Sequence, residues 1–172
     1  ADFSKGYVWK IYPEFELYIR DLETWDLKPI SPAEGYDAEA VVSPDGTKIV
    51  FTSMRHGDLD IYTMNTDGTG LKQLTDKLGY DGGPFFSHDS KRIVYRSYYP
   101  ETEEAAQHYR NLLATDSIEP MALQIRVMDK DGENEVQVTD NGAANFGPFW
   151  HPDNERIIYC SNQASESGRD FD

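Results

Sequence analysis

Three residues of this chain recur at one place in a repeat and carry groups that could do electrostatic work. Asp37, Asp81 and Asn145 each stand six positions beyond a hydroxyl residue: Ser31, Thr75 and Thr139. With Glu34, Glu39, Asp76 and Asp140 nearby, they would form a partial acidic ring able to hold a cation or the basic end of a peptide. The same residue types also cap loop amides, and recurrence in every repeat suits that scaffold role. Other chemistry finds little support. Cys160 is single, which excludes an intramolecular disulfide and a multi-cysteine metal site. His56, His88, His108 and His151 lie in separate segments, without HxH or HExxH spacing. Asn65 to Gly68 and Asp129 to Gly132 look like the start of a calcium loop. Six residues past the glycines stand Leu74 and Val138, which cannot ligate, so both segments read as hairpins. No GxSxG is present to supply a hydrolase nucleophile. The reading therefore predicts no catalytic residue, no metal and no cofactor.

The elements that would position these groups are legible in the same repeat. Ser31 to Ser43, Thr75 to Ser87 and Thr139 to His151 are each 12 apart, and the stretches 17–31, 61–75 and 125–139 all span 14. After them come AVVSPDGTKIVFTS (40–53), PFFSHDSKRIVYRS (84–97) and PFWHPDNERIIYCS (148–161), which match position by position. A period near 44 residues, made of short apolar runs and turn residues, is the signature of a propeller blade. Strands are expected at 40–43, 48–53, 60–65 and 72–74. Ser43-Pro44-Asp45-Gly46 turns the first into the second; Ser87-His88-Asp89-Ser90 departs from that chemistry and is expected to be less rigid. The fold class is thus all-β: a β-propeller of four-stranded antiparallel blades, about three of them.

Residues 1–172 read as one partial propeller. It comprises a half-blade at about 7–31, blades at 37–75 and 81–139, and a further half-blade at 145–172. Propellers close with roughly 4–8 blades, so the ring needs completion by missing residues or other chains. Phe171 and Asp172 match Leu59 and Asp60, the start of a third strand. A start at Ala1 without an initiator Met fits a processed secreted or periplasmic protein, and equally a trimmed chain. Acidic residues outnumber basic ones 31 to 16, for a net charge of −15, which offers no basic face for nucleic acid. No apolar run is long enough to span a membrane as a helix.

SPDGTKIVFTS followed by DIYTMNTDGTGLKQLT resembles the TolB-type WD-like repeat, also seen in the propeller domains of prolyl-oligopeptidase-like peptidases. The resemblance covers about 17–161 and is specific for fold. Departures lie at Ser87–Ser90, at Trp25-Asp26 in place of an Asp-Gly turn, and in one long insertion. It implies a bacterial periplasmic or secreted module that binds a protein partner, basic or membrane-associated, without catalysis. The alternatives are the propeller of a peptidase whose catalytic domain is absent, or an accessory subunit of a membrane-associated complex.

In up-and-down blades the first–second and third–fourth turns emerge at one end, and everything irregular emerges at the other. That irregular face includes the insertion at 98–122, which is 20 residues longer than its counterpart. Ala105, Ala106, Tyr109, Leu112 and Leu113 recur there at helical spacing, with acidic Glu101, Glu103 and Glu104 ahead of them. A helix over roughly 101–114 follows. Its stripe would either pack on its own propeller or present a surface to a partner, for which Tyr98, Tyr99 and Tyr109 are suited.

Overall fold

The structure, a computed structural model, describes residues 8–120 and 122–165. The extreme residues Ala1, Phe171 and Asp172 lie outside that range. Strands β1 (Trp9–Lys10), β2 (Tyr18–Arg20) and β3 (Leu27–Pro29) lead into the first full blade. That blade is β4 (Asp37–Val42), β5 (Lys48–Ser53), β6 (Asp60–Asn65) and β7 (Lys72–Gln73), paired in sequence order and antiparallel throughout. The second is β8 (Tyr80–Phe86), β9 (Arg92–Tyr98), β11 (Gln124–Asp129) and β12 (Val136–Gln137). Between β9 and β11 lie helix α1 (Glu103–Leu113) and β10 (Ser117–Ile118). A hairpin of β13 (Asn145–Trp150) and β14 (Ile157–Ser161) follows, and β2 with β3 forms the matching N-terminal hairpin. Among the described residues no sheet closes on itself, and the architecture is a partial propeller.

Alternation explains why both faces of each full blade are apolar. Phe51 and Ile49 on β5, with Tyr62 and Met64 on β6, pack against Leu17 and Ile30 of the N-terminal half-blade. Their neighbours Val50 and Ile61 point the other way, onto Phe86, Ile93, Tyr95 and Met128 of the next blade. Val94 and Ile125 then meet Trp150 of the last hairpin. Successive residues of a strand face opposite sides, so each blade is the filling between two others. Each fully buried side chain of this size contributes about 1.5–3 kcal/mol. At the two ends the faces are bare: Tyr18, Ile19 and Leu27 are exposed at one, Phe149 and Ile158 (70%) at the other.

The repeat's markers have a physical meaning. Ile61 N donates to Thr75 Oγ1 at 2.9 Å, Ile125 N to Thr139 Oγ1 at 2.8 Å and Leu17 N to Ser31 Oγ at 3.2 Å. Each hydroxyl satisfies a buried amide at the start of the third strand, 14 residues back, where an unmade bond would be costly. The second marker works on the first–second turn. Ser43 Oγ accepts from Lys48 N at 2.9 Å, and Ser87 Oγ from Arg92 N at 2.9 Å. The Ser87–Ser90 turn departs in its residue types but has the same geometry: Ser90 sits at φ 60° where Gly46 sits at 72°. Its Oγ also accepts from Asp45 N at 3.0 Å, tying one blade's turn to the next.

Three differences from the sequence reading matter for function. The first strand begins at Asp37, three residues before the expected Ala40, because every blade carries a β-bulge there. The left-handed residue of that bulge is Glu39 (φ 55°), Gly83 (φ 59°) or Gly147 (φ 55°). The N-terminal half-blade has its strands only from Tyr18. Residues 9–10 leave it and pair with β10 of the insertion, Trp9 opposite Ile118. Trp9 packs near Phe146 and Tyr80, and Phe15 stacks on Tyr36. The N-terminal segment is therefore a strap across the irregular face. The helix is real and slightly shorter than expected, with Thr102 as its cap: Thr102 Oγ1 accepts from Ala105 N at 3.1 Å.

Candidate functional site

Asp37, Asp81 and Asn145 stand within the first two residues of the first strand of their blades and are sealed from water, at 2%, 0% and 0% exposure. Each donates its backbone N–H to the preceding blade: Asp37 to Phe15 O, Asp81 to Leu59 O, Asn145 to Leu123 O. These three positions of the acidic ring thus form an internal hub, whereas Glu34, Asp76 and Asp140 are exposed. What differs among them is the side chain two residues past the serine near the end of each second strand, Ser53, Ser97 or Ser161. Arg55 reaches Asp37 Oδ2 at 2.7 Å, its guanidinium lying over Phe51 and Tyr62. Tyr99 Oη donates to Asp81 Oδ2 at 3.3 Å. Gln163 Oε1 accepts from Asn141 Nδ2 at 3.0 Å, and Asn141 Oδ1 accepts in turn from Asn145 Nδ2 at 3.0 Å.

Asp81 is the under-served member. Its Oδ1 is buried without a hydrogen-bond partner. Burial, with the Asp60 carboxylate close by, pushes its pKa well above the ordinary aspartate value. Asp60, on β6, accepts from Thr75 Oγ1 (3.2 Å) and Gln73 Nε2 (2.9 Å). Burial first, then neighbouring Asp58, raises it to about 7. Asp58 accepts from Gly79 N at 3.0 Å and from the Tyr109 hydroxyl, and burial raises it too. Sequence reading did not single out Asp58 or Asp60. The only available signal was two acids flanking a core leucine, Asp58-Leu59-Asp60, at the start of a strand.

Tyr109 is 3% exposed and anchors α1 through Asp58. With Ile11, Leu59, Tyr80, Ile118 and Leu123 it forms the core beneath the helix, against which Leu113 packs. Of the two readings of the helix stripe, packing on its own propeller describes Ala106, Tyr109 and Leu113, while Leu112 is half-buried. Glu39 bridges blades: its carboxylate accepts from Gly83 N (2.7 Å), Thr52 Oγ1 (3.1 Å) and Arg96 (2.5 Å). Arg96 lies over Trp9 and Tyr80, coupling that bridge to the N-terminal strap.

Tyr98 and Tyr99 line a groove of about 470 Å³ between α1, β11 and the 139–142 loop. Glu101, Gln124, Arg126 and Asp140 complete its polar wall. No cluster of three or more metal-ligating side chains occurs among the described residues. No helix among them is long and apolar enough to cross a membrane.

Residues 7–124 match the family model described as TolB beta propeller domain. An uncharacterized protein of Agrobacterium fabrum (strain C58) is 28% identical over 149 residues, covering 84% of this chain and 46% of that protein. The solved structure of a putative TolB from Agrobacterium tumefaciens superposes with a TM-score of 0.66 at 22% identity, over 91% of this chain and 55% of that one. A puromycin-hydrolyzing peptidase of Mycobacterium tuberculosis superposes with a TM-score of 0.61 at 18% identity, over 88% of this chain and 24% of that one. These likenesses show the fold, and the chain spans about half the length of the curated relative it matches.

Proposed function

Because this chain belongs to the TolB β-propeller domain family, we propose that it is a non-catalytic docking module holding a protein partner on its irregular face in the bacterial periplasm or cell envelope. One observation carries the reading. The repeat-equivalent Asp37, Asp81 and Asn145 are buried, while the large departures from the repeat lie together on one face. These are the strap at 8–16, α1 with β10, and the groove between them and the 139–142 loop. A rigid scaffold presenting adjustable loops is the arrangement that docking surfaces use. The net charge of −15 favours a basic partner. The bare faces of the end hairpins fit a ring completed by further blades.

Photo-crosslinking in cells tests this with the intact natural protein. A crosslinker at Glu104 or Asn111, both exposed on α1, should capture one discrete partner. One at Thr66 or Glu133, on the opposite turns, should not. Equal capture from both faces, or none from α1, overturns the reading. Peptide hydrolysis by the intact protein would replace it with a peptidase.

A further inference from the structure

The groove beneath α1 has no counterpart in the first full blade, because the insertion that roofs it occurs only once. Its volume of about 470 Å³ falls within the range of small-ligand sites. Its charges are unevenly matched. Arg126 Nη1 meets Glu135 at 2.8 Å, and its other nitrogens bond Ser97 Oγ (2.8 Å) and Gln137 Oε1 (2.6 Å). That cation is spent within the wall, and its guanidinium lies over the Tyr99 ring. Glu101 and Asp140 have no hydrogen bond or ion pair among the described residues, and neither has the Tyr98 hydroxyl.

Gln124 occupies the position of Asp60 in the sister blade. Its Oε1 accepts from Thr139 Oγ1 at 2.7 Å, and the amide nitrogen of this half-buried residue has no acceptor among the described residues. The wall therefore presents two uncommitted carboxylates, an aromatic ring and a polar amide around a space large enough to admit a whole long side chain. Aromatic rings and carboxylates together favour a planar or compact cation.

We propose that this groove accepts the guanidinium or ammonium head of a basic side chain on the protein partner, which rests on the docking reading above. Asp140 and Glu101 would face the charge, and Tyr98 its flat side.

The test titrates the intact protein with Nα-acetyl-arginine amide, followed by amide NMR at about 0.15 M salt, where unpaired surface charges are screened beyond about 8 Å. Saturable shifts confined to residues around Tyr98, Gln124 and Gly142 are expected. The neutral citrulline analogue should bind at least about fivefold more weakly. Asp140→Asn with Glu101→Gln should weaken the arginine probe by a similar factor. Glu133→Gln with Asp131→Asn, the same charge change on the opposite face, should leave it unchanged. Equal binding of citrulline makes this a site for neutral polar ligands and overturns the proposal. Shifts spread over the surface, or no saturable binding, also overturn it. Arginine binding without α1 crosslinks would leave the groove standing and remove the docking reading. Crosslinks without arginine binding would do the reverse.

Discussion

The Tyr99 hydroxyl meets Asp81 Oδ2 at 3.3 Å in the place where, one blade earlier, Arg55 meets Asp37 at 2.7 Å. The exchange of a cation for a phenol leaves Asp81 buried without a counter-charge and with one oxygen unpaired. An isolated buried carboxylate is costly when ionised, so it holds its proton to higher pH.

Stability should depend on pH accordingly. An aspartate whose folded pKa is raised contributes stability that is fully present below its free value of 3.8 and is lost as pH rises through the folded value. For Asp60 that window runs from 3.8 to about 7, and for Asp81 it extends further upward. Asn145 shows that an amide fits the hub, with its Nδ2 donating to Leu123 O at 2.7 Å. Asp81→Asn should therefore stabilise the protein by about 1–3 kcal/mol at pH 8. At pH 4 it should be near neutral. Urea denaturation at both pH values measures the difference. An equal effect at both would refute the ionisation argument.

The marker hydroxyls should be worth more than their surface counterparts. Thr139→Val keeps shape but strands the Ile125 amide and the Gln124 carbonyl, and should cost about 1–3 kcal/mol. Thr66→Val, at a half-buried hairpin position whose hydroxyl makes only a long 3.4 Å bond to Gly46 O, should change stability by less than about 0.5 kcal/mol. Denaturation midpoints at one pH check both.

Glu39 pits backbone strain against a bridge between blades. Its φ of 55° is one that Gly83 and Gly147 adopt at the equivalent bulges. Both Glu39→Ala and Glu39→Gly lose the bonds to Arg96 and Gly83, but only glycine relieves the left-handed backbone. The glycine variant should be the more stable of the two by about 1 kcal/mol. Reversal of that order in thermal unfolding would show that the bulge relaxes on substitution.

Tyr109→Phe should loosen the insertion without unfolding the blades. The phenol is buried and its bond to Asp58 joins α1 to the end of the β5–β6 loop. Its loss should cost about 1–2 kcal/mol locally. Hydrogen exchange should rise about tenfold across residues 103–113 and remain unchanged in β5 and β6. Uniform acceleration through the blades would mean that the helix is part of the global fold.

The legible part of this protein is the part that local chemistry repeats. Thr75 and Thr139 had to be hydroxyl residues because each satisfies one strand amide, so their spacing to Ile61 and Ile125 survives in the sequence. The Ser43 turn, the alternation of Val50 and Phe51, and the helical period of Ala106 and Tyr109 are signals of the same local kind. The candidate site was less legible. Asp37 and Asp81 look alike as letters, and the recurrence that located them said nothing about their partners.

Tertiary packing decided those partners, because Arg55 and Tyr99 stand 18 residues from the carboxylates they serve. It also decided the bulge at Glu39, where a glutamate tolerates a glycine conformation because Gly83 and Arg96 of the next blade hold its carboxylate. The strap followed the same rule. Trp9 and Lys10 are too short a segment to announce a strand, and only contact with Ser117 and Ile118, over 100 residues away, makes them one. Sequence by itself determined the blades, since each strand and turn answers to residues within one repeat. The groove, the hub's unequal charges and the strap depend on which repeats meet, and that is a property of the folded array alone.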